Sequence, residues 1–277
     1  ADFVDLFVLG EGEEVNLELI DLYQQAKLEG WSKEEYLGRA AQIPGVYVPS
    51  LYEVTYREDG TVRAITPKEG APAKVSKRII RELDKVPFPK SFVVPFIDIV
   101  HDRSMLEVQR GCIRGCRFCQ AGFIYRPIRD KSPETLNRNA LNLAASSGYD
   151  EVSLTSLSTS DYRGLEELLD QMLPWTQERQ INIALPSLRI DSCSEKLLAQ
   201  IAKVRKSGLT FAPEAGSQRL RDAINKNLSE EEILSTCRAA FRNGYTSVKL
   251  YFMIGLPTET LEDVAGIADL AQKVVDA

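Results

Sequence analysis

The chain has 277 residues, of which 44% are hydrophobic and 27% are charged, so its composition is that of a globular protein and excludes disordered and fibrous classes. Its net charge of −6 argues against a general electrostatic grip on nucleic acid. The longest apolar run, residues 91–100, is interrupted by an aspartate and a proline and is far shorter than the roughly 20 residues that span a bilayer. No membrane association is therefore expected. Because the N-terminus lacks the basic start and cleavage site of a secretory signal, the predicted compartment is a reducing cytoplasm.

The first hundred residues predict a smaller N-terminal region of α/β or α+β type. Residues 3–10 predict a buried strand, which leads through a glycine turn into a helix that ends near residue 28. Alternating strands then flank the hairpin turn at Asp59 and Gly60. A short helix is expected near residues 76–85, followed by a proline-rich connector.

A repeated strand-then-helix pattern begins near residue 106. The candidate strands are 106–110, 151–156, 181–186, 208–212 and 247–254. Each is rich in Val, Ile, Leu or Thr and short enough for a parallel strand that is covered on both faces. Helix starts are marked by Ser132 with Pro133, by Ser194, and by Ser229 with Glu232, which predicts a capping box.

Five β/α units in sequence predict a parallel barrel, because repeated right-handed crossovers close or stack in this way. Residues 105–277 are too few for a complete barrel of about 250 residues, so a partial barrel is expected. The last predicted helix, 260–276, reaches the C-terminus without a sixth strand. We expect the chain to be truncated at both ends.

Three of the five cysteines, Cys112, Cys116 and Cys119, lie within eight residues, directly after the first strand of this series. Active sites of parallel barrels are built from loops at the carboxyl ends of the strands. Three thiolates can hold three irons of a [4Fe–4S] cluster and leave the fourth iron open to a small ligand. The spacing therefore predicts a cluster with one exchangeable coordination position.

The stretch "RGCIRGCRFC" resembles the cluster loop of the radical S-adenosylmethionine (SAM) superfamily, in which an aromatic residue precedes the third cysteine; here that residue is Phe118. The resemblance covers about residues 105–277 and implies a partial barrel of radical SAM type. It also implies a [4Fe–4S] cluster and SAM as cofactors, with reductive cleavage of SAM to a 5′-deoxyadenosyl radical that acts on a substrate. A one-electron donor such as flavodoxin or ferredoxin would supply the electron.

The same resemblance implies SAM contacts at successive strand ends. Where the superfamily often carries a Gly-Gly-Glu segment for the amino group of SAM, this chain reads "SLTSLSTSDY". The residues that stand at the positions of SAM contacts are Thr155, Ser156 and Ser158 after the second strand, Ser187 and Arg189 after the third, Glu214 after the fourth, and Gly255 after the fifth.

The N-terminal stretch "ADFVDLFVLGEGEE" resembles the end of the vitamin B12-binding-type domain that precedes the barrel in a group of bacterial radical SAM proteins. The resemblance implies three segments: 1–43 as the tail of that domain, 44–104 as the hairpin-containing connector, and 105–277 as the radical SAM core. The histidine motif that would bind cobalt lies upstream of residue 1. Cobalamin is therefore expected only with the upstream domain.

Two other functions remain open at this stage. A non-catalytic zinc module would need a fourth ligand from Cys193, Cys237 or His101. An RNA-modifying methylthiotransferase-like enzyme would agree with the six basic residues between Arg110 and Lys131, but such proteins usually bring a second cluster, for which the sequence has no second cysteine triplet. These basic residues predict either a solvated loop or a positive rim around a site for anions.

Overall fold

The computed structural model describes residues 3–186, 188–192, 197 and 209–277. The chain divides into two compact units, Ala1–Glu82 and Leu83–Ala277. Element labels below follow chain order among the described residues. In that part of the chain, no helix combines the length and the apolar character needed to cross a membrane.

The first unit packs two helices beside short strands. Its elements are β1 (Phe7–Val8), α1 (Gly12–Glu29), α2 (Lys33–Ala40), β2 (Val46–Tyr47), β3 (Tyr52–Tyr56) and β4 (Val62–Pro67). Strands β3 and β4 form the predicted antiparallel hairpin, in which Gly60 takes a left-handed conformation with φ of 79°. The core consists of Val15, Leu37, Ala40, Ala41, Val46 and Val48.

Two predictions for this unit were wrong. The N-terminal strand is only two residues long, and Phe7 is exposed, because β1 pairs with β2 alone. No α-helix forms at residues 76–82: the N–H of Arg78 donates to the carbonyl of Leu9, and its carbonyl accepts from the N–H of Glu11. Backbone groups that pair in this extended way are not free to form a helical turn. In the second unit, the predicted helix is replaced by a single 3₁₀ turn at Leu83–Lys85.

The second unit has the strand-and-helix alternation that the sequence predicts, and the α/β class is confirmed. Its strands are β5 (Ser104–Glu107), β6 (Gln109–Arg110), β7 (Arg129–Asp130), β8 (Glu151–Thr155), β9 (Asn182–Ala184), β10 (Leu209–Glu214) and β11 (Val248–Phe252). Its helices are α3 (Ala121–Ile124), α4 (Pro133–Ser147), α5 (Leu165–Glu178), α6 (Gln218–Ala223), α7 (Glu230–Arg242) and α8 (Leu261–Val275). Strands β5, β8 and β9 form one parallel sheet, and β10 and β11 form a parallel pair.

The predicted helix caps of this unit are confirmed wherever they fall on described residues. The Ser132 side chain accepts from the N–H of Thr135 at the start of α4, and Ser229 and Glu232 form the capping box of α7. The cap predicted at Ser194 lies outside the described residues. Helix α8 begins after Thr260, which forms a second capping box with Asp263.

The strand predicted at 106–110 is divided in two. Glu107 ends β5, which is parallel to β8, whereas Gln109 and Arg110 pair antiparallel with β7. Val108 lies between them: its N–H donates to the carbonyl of Thr155, and its carbonyl accepts from the N–H of Lys131. The chain therefore leaves the parallel sheet one residue after β5 and enters a short antiparallel pair, β6 and β7. The segment that connects these two strands contains the three cysteines.

The prediction of strands covered on both faces is confirmed for β8, in which Val152, Ser153 and Leu154 are all buried. In β5 and β10 it is wrong: Leu106 and Phe211 are fully buried in the main core, whereas their neighbours Met105 and Thr210 are exposed. Because successive side chains of a strand point to opposite faces, the second face of β10 is left open to a cavity that Thr210 lines.

Candidate active site

A cavity of about 350 Å³ lies beside the carboxyl ends of these strands. Its volume is within the range of about 300–1,000 Å³ that is usual for ligand pockets. It is lined by Cys112, Arg114, Cys116, Phe118, Cys119, Leu157, Ser158, Pro186, Leu188, Arg189, Ile190, Asp191, Thr210, Ala212, Glu214, Lys226, Leu228 and Tyr251. The lining combines apolar side chains with a few charged ones, which is typical of sites that orient a small molecule.

All three clustered cysteines line this cavity as free thiols. Cys116 is buried, Cys112 and Cys119 are partly exposed, and the N–H of Cys119 donates to the carbonyl of Cys116 at 3.0 Å. We call residues 111–120 the cysteine loop. The predicted ligands are therefore brought to one wall of one cavity.

Two glycines permit the tight path of the cysteine loop. Gly111 has φ of +94°, and a Cβ at this position would lie 2.7 Å from the carbonyl oxygen of Tyr125. A Cβ on Gly122 would lie 2.6 Å from the carbonyl oxygen of Arg114. Side chains are excluded at both positions, because no Cβ is tolerated so close to a backbone oxygen.

Arginine and asparagine side chains fasten the cysteine loop to its surroundings. Arg126 donates to the carbonyl oxygens of Gly122, Ile113 and Arg114. On the other side, Arg117 donates to the carbonyl of Ala223, and the Asn225 amide donates to the carbonyl of Gly115 at 2.8 Å. Three of these bonds end on carbonyl oxygens of the loop, those of Ile113, Arg114 and Gly115, and none of them uses a thiol.

The remaining basic residues of this region are also bound by protein atoms. Arg110 forms two hydrogen bonds with the Glu107 carboxylate, at 2.9 and 3.0 Å. Lys131 is buried, with its ammonium 3.7 Å from Glu107 and 5.5 Å from the centre of the Phe88 ring. Burial lowers the pKa of Lys131, against the opposing effect of Glu107. Many of the basic side chains in this region therefore bind protein atoms and stabilise the cysteine loop.

A network of ion pairs runs along the cavity wall. It begins at Asp161, passes through Arg114 to Asp191, and continues to Arg189, which donates to both oxygens of Asp191 at 2.9 and 3.2 Å. Arg189 also donates to the backbone carbonyl of Lys226 at 3.1 Å. The Lys226 ammonium is 3.0 Å from Glu214. We call these side chains the six-residue network; its members are Asp161, Arg114, Asp191, Arg189, Lys226 and Glu214, and its three cations balance its three carboxylates.

Direct hydrogen bonding keeps two members of this network, Arg114 and Asp161, charged. The Asp161 hydrogen bonds raise the pKa of Arg114 above its usual range, although burial opposes this. Burial alone would raise the pKa of Asp161, but hydrogen bonds from Arg114 and Ser158 outweigh burial and lower it. Both groups are therefore ionised at neutral pH.

Three of the predicted SAM contacts, Ser158, Arg189 and Glu214, line the cavity, and so does Phe118, the aromatic residue of the cluster loop. The Arg189 guanidinium is held by Asp191. The Ser158 hydroxyl donates to Asp161 at 2.7 Å. Glu214 has a left-handed backbone with φ of +68°, an unfavourable conformation for this residue that often marks functional positions.

Three other predicted contacts, Thr155, Ser156 and Gly255, do not line the cavity. The Ser156 hydroxyl accepts from the N–H of Ser158 and contacts the Thr159 hydroxyl, as in a local turn, and Thr155 ends β8 beside Glu107. Gly255 has φ of +89°, and its N–H donates to Glu259. Ser187 lies outside the described residues.

The loop after β10 is held by steric fit and by buried polar groups. A Cβ on Gly216 would lie 2.3 Å from the N atom of Ile267, so Gly216 packs directly on the backbone of α8. The fully buried Arg221 donates to the carbonyls of Ala215, Gly216 and Leu228. These contacts fix the backbone that follows Glu214.

Asp263 adds a further anchor, at the start of α8. Its buried carboxylate accepts from the Ser217 hydroxyl, from Arg219 and from the capping residue Thr260. The Arg219 hydrogen bond, followed by that of Ser217, lowers the pKa of Asp263 well below its usual range.

Sequence reasoning missed Asp161, Asp191, Lys226 and Tyr251. Asp161 lies in the "STSDY" stretch and Asp191 in "SLRID", both of which were examined for ligand contacts through neighbouring residues. Arg114 in the cysteine loop does indicate that carboxylates lie nearby, because a partly buried arginine requires such partners. Nothing in the spacing of the sequence identifies which carboxylates those are.

Two of the candidate fourth ligands for zinc, Cys237 and His101, do not line the cavity. Cys237 is completely buried in α7, and burial raises its pKa to about 11. His101 is exposed and lies 3.0 Å from Arg103, whereas Cys193 is outside the described residues. Among the residues that the structure describes, no three His, Cys, Asp or Glu side chains are close enough together to bind one shared metal ion.

Comparison with protein families identifies the fold of the second unit. A family model described as Radical SAM superfamily matches residues 106–271, more than half of the chain. The chain belongs to the radical SAM superfamily. A second model, described as Radical SAM proteins, N-terminal, matches residues 1–49. Membership of this superfamily implies a [4Fe–4S] cluster and SAM as cofactors.

Several proteins and structures resemble this radical SAM chain. It is 33% identical to Uncharacterized protein MJ0966 of Methanocaldococcus jannaschii, over 99% of this chain and 52% of that protein. It is 28% identical to the threonylcarbamoyladenosine tRNA methylthiotransferase MtaB of Treponema pallidum, over 60% of this chain and 35% of that protein. The chain thus spans about half the length, or less, of these relatives.

Among solved structures, the chain resembles the radical SAM methyltransferase TsrM from Kitasatospora setae with cobalamin and a [4Fe–4S] cluster bound. The TM-score is 0.66 at 15% identity, and the match covers 98% of this chain and 51% of that one. At this identity the likeness shows a shared fold.

The donor set of the cavity fits the implied cluster. Three free thiols line one cavity, and the Arg126 side chain binds carbonyl oxygens of their loop, not the thiols. Thiolates are the usual ligands of iron–sulfur clusters, and each thiolate of a [4Fe–4S] cluster binds a different iron.

Proposed function

We propose that this chain contains the catalytic core of a radical SAM enzyme, in which Cys112, Cys116 and Cys119 hold a [4Fe–4S] cluster and the cavity binds SAM. A reduced cluster with SAM bound supplies the electron that cleaves SAM to methionine and a 5′-deoxyadenosyl radical, which abstracts hydrogen from a substrate. The observation that carries the proposal is the placement of three free thiols on the wall of a cavity at the carboxyl ends of parallel strands.

Side chains of the cavity have separate tasks in this proposal. The cysteines bind the cluster, and Phe118 and Leu157 supply apolar surface to the cavity. Glu214 offers a carboxylate that Lys226 holds in place, so that hydroxyl or ammonium groups of SAM meet a fixed acceptor. Ser158 and Arg189 complete the polar wall.

Charge balance supports binding of both cofactors together. The six-residue network has no net charge, so it neither adds to nor cancels the charge of a bound group. An oxidised cluster on three thiolates carries one net negative charge, and SAM carries one net positive charge. The pair is neutral in a partly buried site, which avoids the cost of burying an uncompensated charge.

The direct test is anaerobic reconstitution of the cluster, followed by incubation with SAM and dithionite. We expect four irons per chain and formation of 5′-deoxyadenosine, which chromatography with mass detection measures. Reactions without dithionite, and the longer natural protein if this chain is part of one, are the controls. Four bound irons with no 5′-deoxyadenosine in either protein would contradict the proposal.

A second candidate is transfer of a methylthio group to RNA, favoured by the relative that is named a tRNA methylthiotransferase. It predicts that RNA from a host strain lacking the protein has lost one methylthio nucleoside. Liquid chromatography and mass spectrometry of digested RNA measure this, and an unchanged nucleoside set rejects the candidate.

We further propose the cytoplasm as the compartment and a small redox protein such as flavodoxin or ferredoxin as the electron donor. The free thiols of the described cysteines support this, because they persist in reducing compartments. Cobalamin is proposed only for a longer protein in which a B12-binding-type domain precedes this chain.

A further inference from the structure

Arg114 lies in sequence between two of the proposed cluster ligands, Cys112 and Cys116, and lines the cavity with them. Its Nε and Nη2 donate to the two oxygens of Asp161 at 2.9 and 2.5 Å. Its Nη1 lies 2.9 Å from an oxygen of Asp191. Asp161 follows β8 and Asp191 follows β9, so one side chain of the cysteine loop joins the ends of two parallel strands.

The two carboxylates depend on Arg114 to different degrees. Their side chains are only 7% and 10% exposed, whereas that of Arg114 is 27% exposed. Asp191 has a second cation, Arg189. Among the residues that the structure describes, the other side chains that form hydrogen bonds with Asp161 are the neutral hydroxyls of Ser158 and Ser192. Loss of Arg114 therefore removes the cation that these described residues provide for a largely buried carboxylate, which is unfavourable.

Only an arginine has the shape for this position. A planar guanidinium donates to Asp161 with one edge and to Asp191 with the remaining nitrogen. A lysine ammonium carries the same charge, but it is a point charge that cannot form the same fork.

We propose that Arg114 is a positioning residue that fastens the cysteine loop to the ends of β8 and β9 and places a fixed positive charge beside the cluster. The electrostatic part rests on the proposed function, whereas the fastening of the loop is a property of the protein without its cluster. The two parts are therefore tested separately.

The first test measures the midpoint potential of the reconstituted cluster by anaerobic redox titration. Reduction makes the cluster more negative, so a nearby cation favours the reduced form. Arg114→Gln is expected to shift the potential downward, Asp161→Asn upward, and the double variant back toward the wild-type value. A loosened structure alone would not give opposite shifts that cancel.

The second test measures alkylation of the three thiols in the cluster-free protein by iodoacetamide, followed by mass spectrometry. Arg114→Gln and Arg114→Lys are both expected to raise the alkylation rate by at least about fivefold, because each loses the fork that restrains the loop. Arg114→Lys keeps the charge and is expected to leave the potential near that of the wild type. Arg163→Gln, at an exposed arginine near Asp130, is the matched control and should change neither quantity.

An unchanged alkylation rate in both Arg114→Gln and Arg114→Lys would overturn the fastening role. Equal downward shifts of the midpoint potential in Arg114→Gln, Asp161→Asn and the double variant would overturn the electrostatic role. If Arg114→Gln does not fold, Asp161→Asn and the double variant decide the outcome, since an unchanged potential in both contradicts the proposal. Failure of the proposed function has a different signature: no 5′-deoxyadenosine from the wild type, with the alkylation difference retained.

Discussion

The cysteine loop lines the cavity, and the loop after β10 follows Glu214, which also lines it; the two loops are held by different forces. The cysteine loop is fastened by ion pairs and by side chains that bind its carbonyl oxygens, and several of these groups are partly exposed. The loop after β10, residues 215–217, is held by a glycine packed against α8 and by the fully buried Arg221. Exposed polar bonds each contribute little to stability, whereas steric fit and buried hydrogen bonds contribute more. Substitutions in the first loop should therefore affect cofactor loading, and substitutions in the second should affect folding.

The largest effect is expected from loss of a cluster ligand. Cys116→Ala removes one of three thiolates, so the reconstituted protein should lose the cluster's absorption and most of its iron while remaining folded. Iron analysis and circular dichroism measure the two properties. The matched control is Cys237→Ala, which should keep its iron but lose about 1 kcal/mol of stability through the small cavity left in the core. Iron retained in Cys116→Ala but lost in Cys237→Ala would contradict the assignment of Cys116 to the cluster and of Cys237 to the core.

The buried guanidinium after β10 comes next. Arg221→Met removes the donor for three backbone carbonyls and should lower the free energy of unfolding by about 4 kcal/mol. In a Trp31→Phe background, Trp175 reports unfolding of the second unit alone during a urea titration. A change below about 1 kcal/mol would show that water replaces these bonds at little cost.

Gly216→Ala tests the steric fit directly. The added Cβ would lie 2.3 Å from a backbone nitrogen of α8, so the helix or the loop must move, at a cost of about 3 kcal/mol. The same substitution at Gly38 meets no atom within 4 Å and should stabilise α2 by about 0.5–1 kcal/mol. Equal effects at the two glycines would exclude steric fit as the force that holds this loop.

The smallest effect is expected at Asp263, and it depends on pH. Since the pKa of Asp263 is lowered in the folded protein, its contribution to stability is complete above the ordinary aspartate pKa of about 3.9 and is lost as the pH falls toward the lower value. Asp263→Asn should weaken this acid dependence of the melting temperature. Asp269→Asn, at an exposed position of the same helix, should leave it unchanged.

Local signals in the sequence were sufficient for many elements of the fold. The caps at Ser132 and Ser229 act on backbone N–H groups three residues away, so the sequence contains the whole interaction. The wrong helix near residue 78 has the opposite origin. Arg78 pairs its backbone with Leu9 and Glu11 and its side chain with Glu14 and Glu18, which are about sixty residues away in sequence.

The candidate site divides in the same way. The three cysteines are visible because they lie within eight residues, whereas Asp161 and Asp191 meet Arg114 only after three strands have been placed side by side. Arg189 was identified as a polar residue of the site, but its partner Asp191 could not be assigned by residue type alone. The spacing of the cysteines therefore predicts the cluster ligands, whereas the six-residue network forms only when the strands are arranged in the folded sheet.

The balance of charges in the six-residue network also bears on ionic strength. A cavity of single sign attracts its ligand from a distance, and dissolved ions weaken that attraction over a Debye length of about 8–10 Å. Because the charges of the six-residue network are paired, its electrostatic field falls off within a short distance of the cavity wall. Any weakening of SAM binding as potassium chloride is raised should therefore come from the negative charge of the proposed cluster, because the paired charges of the wall add little long-range attraction.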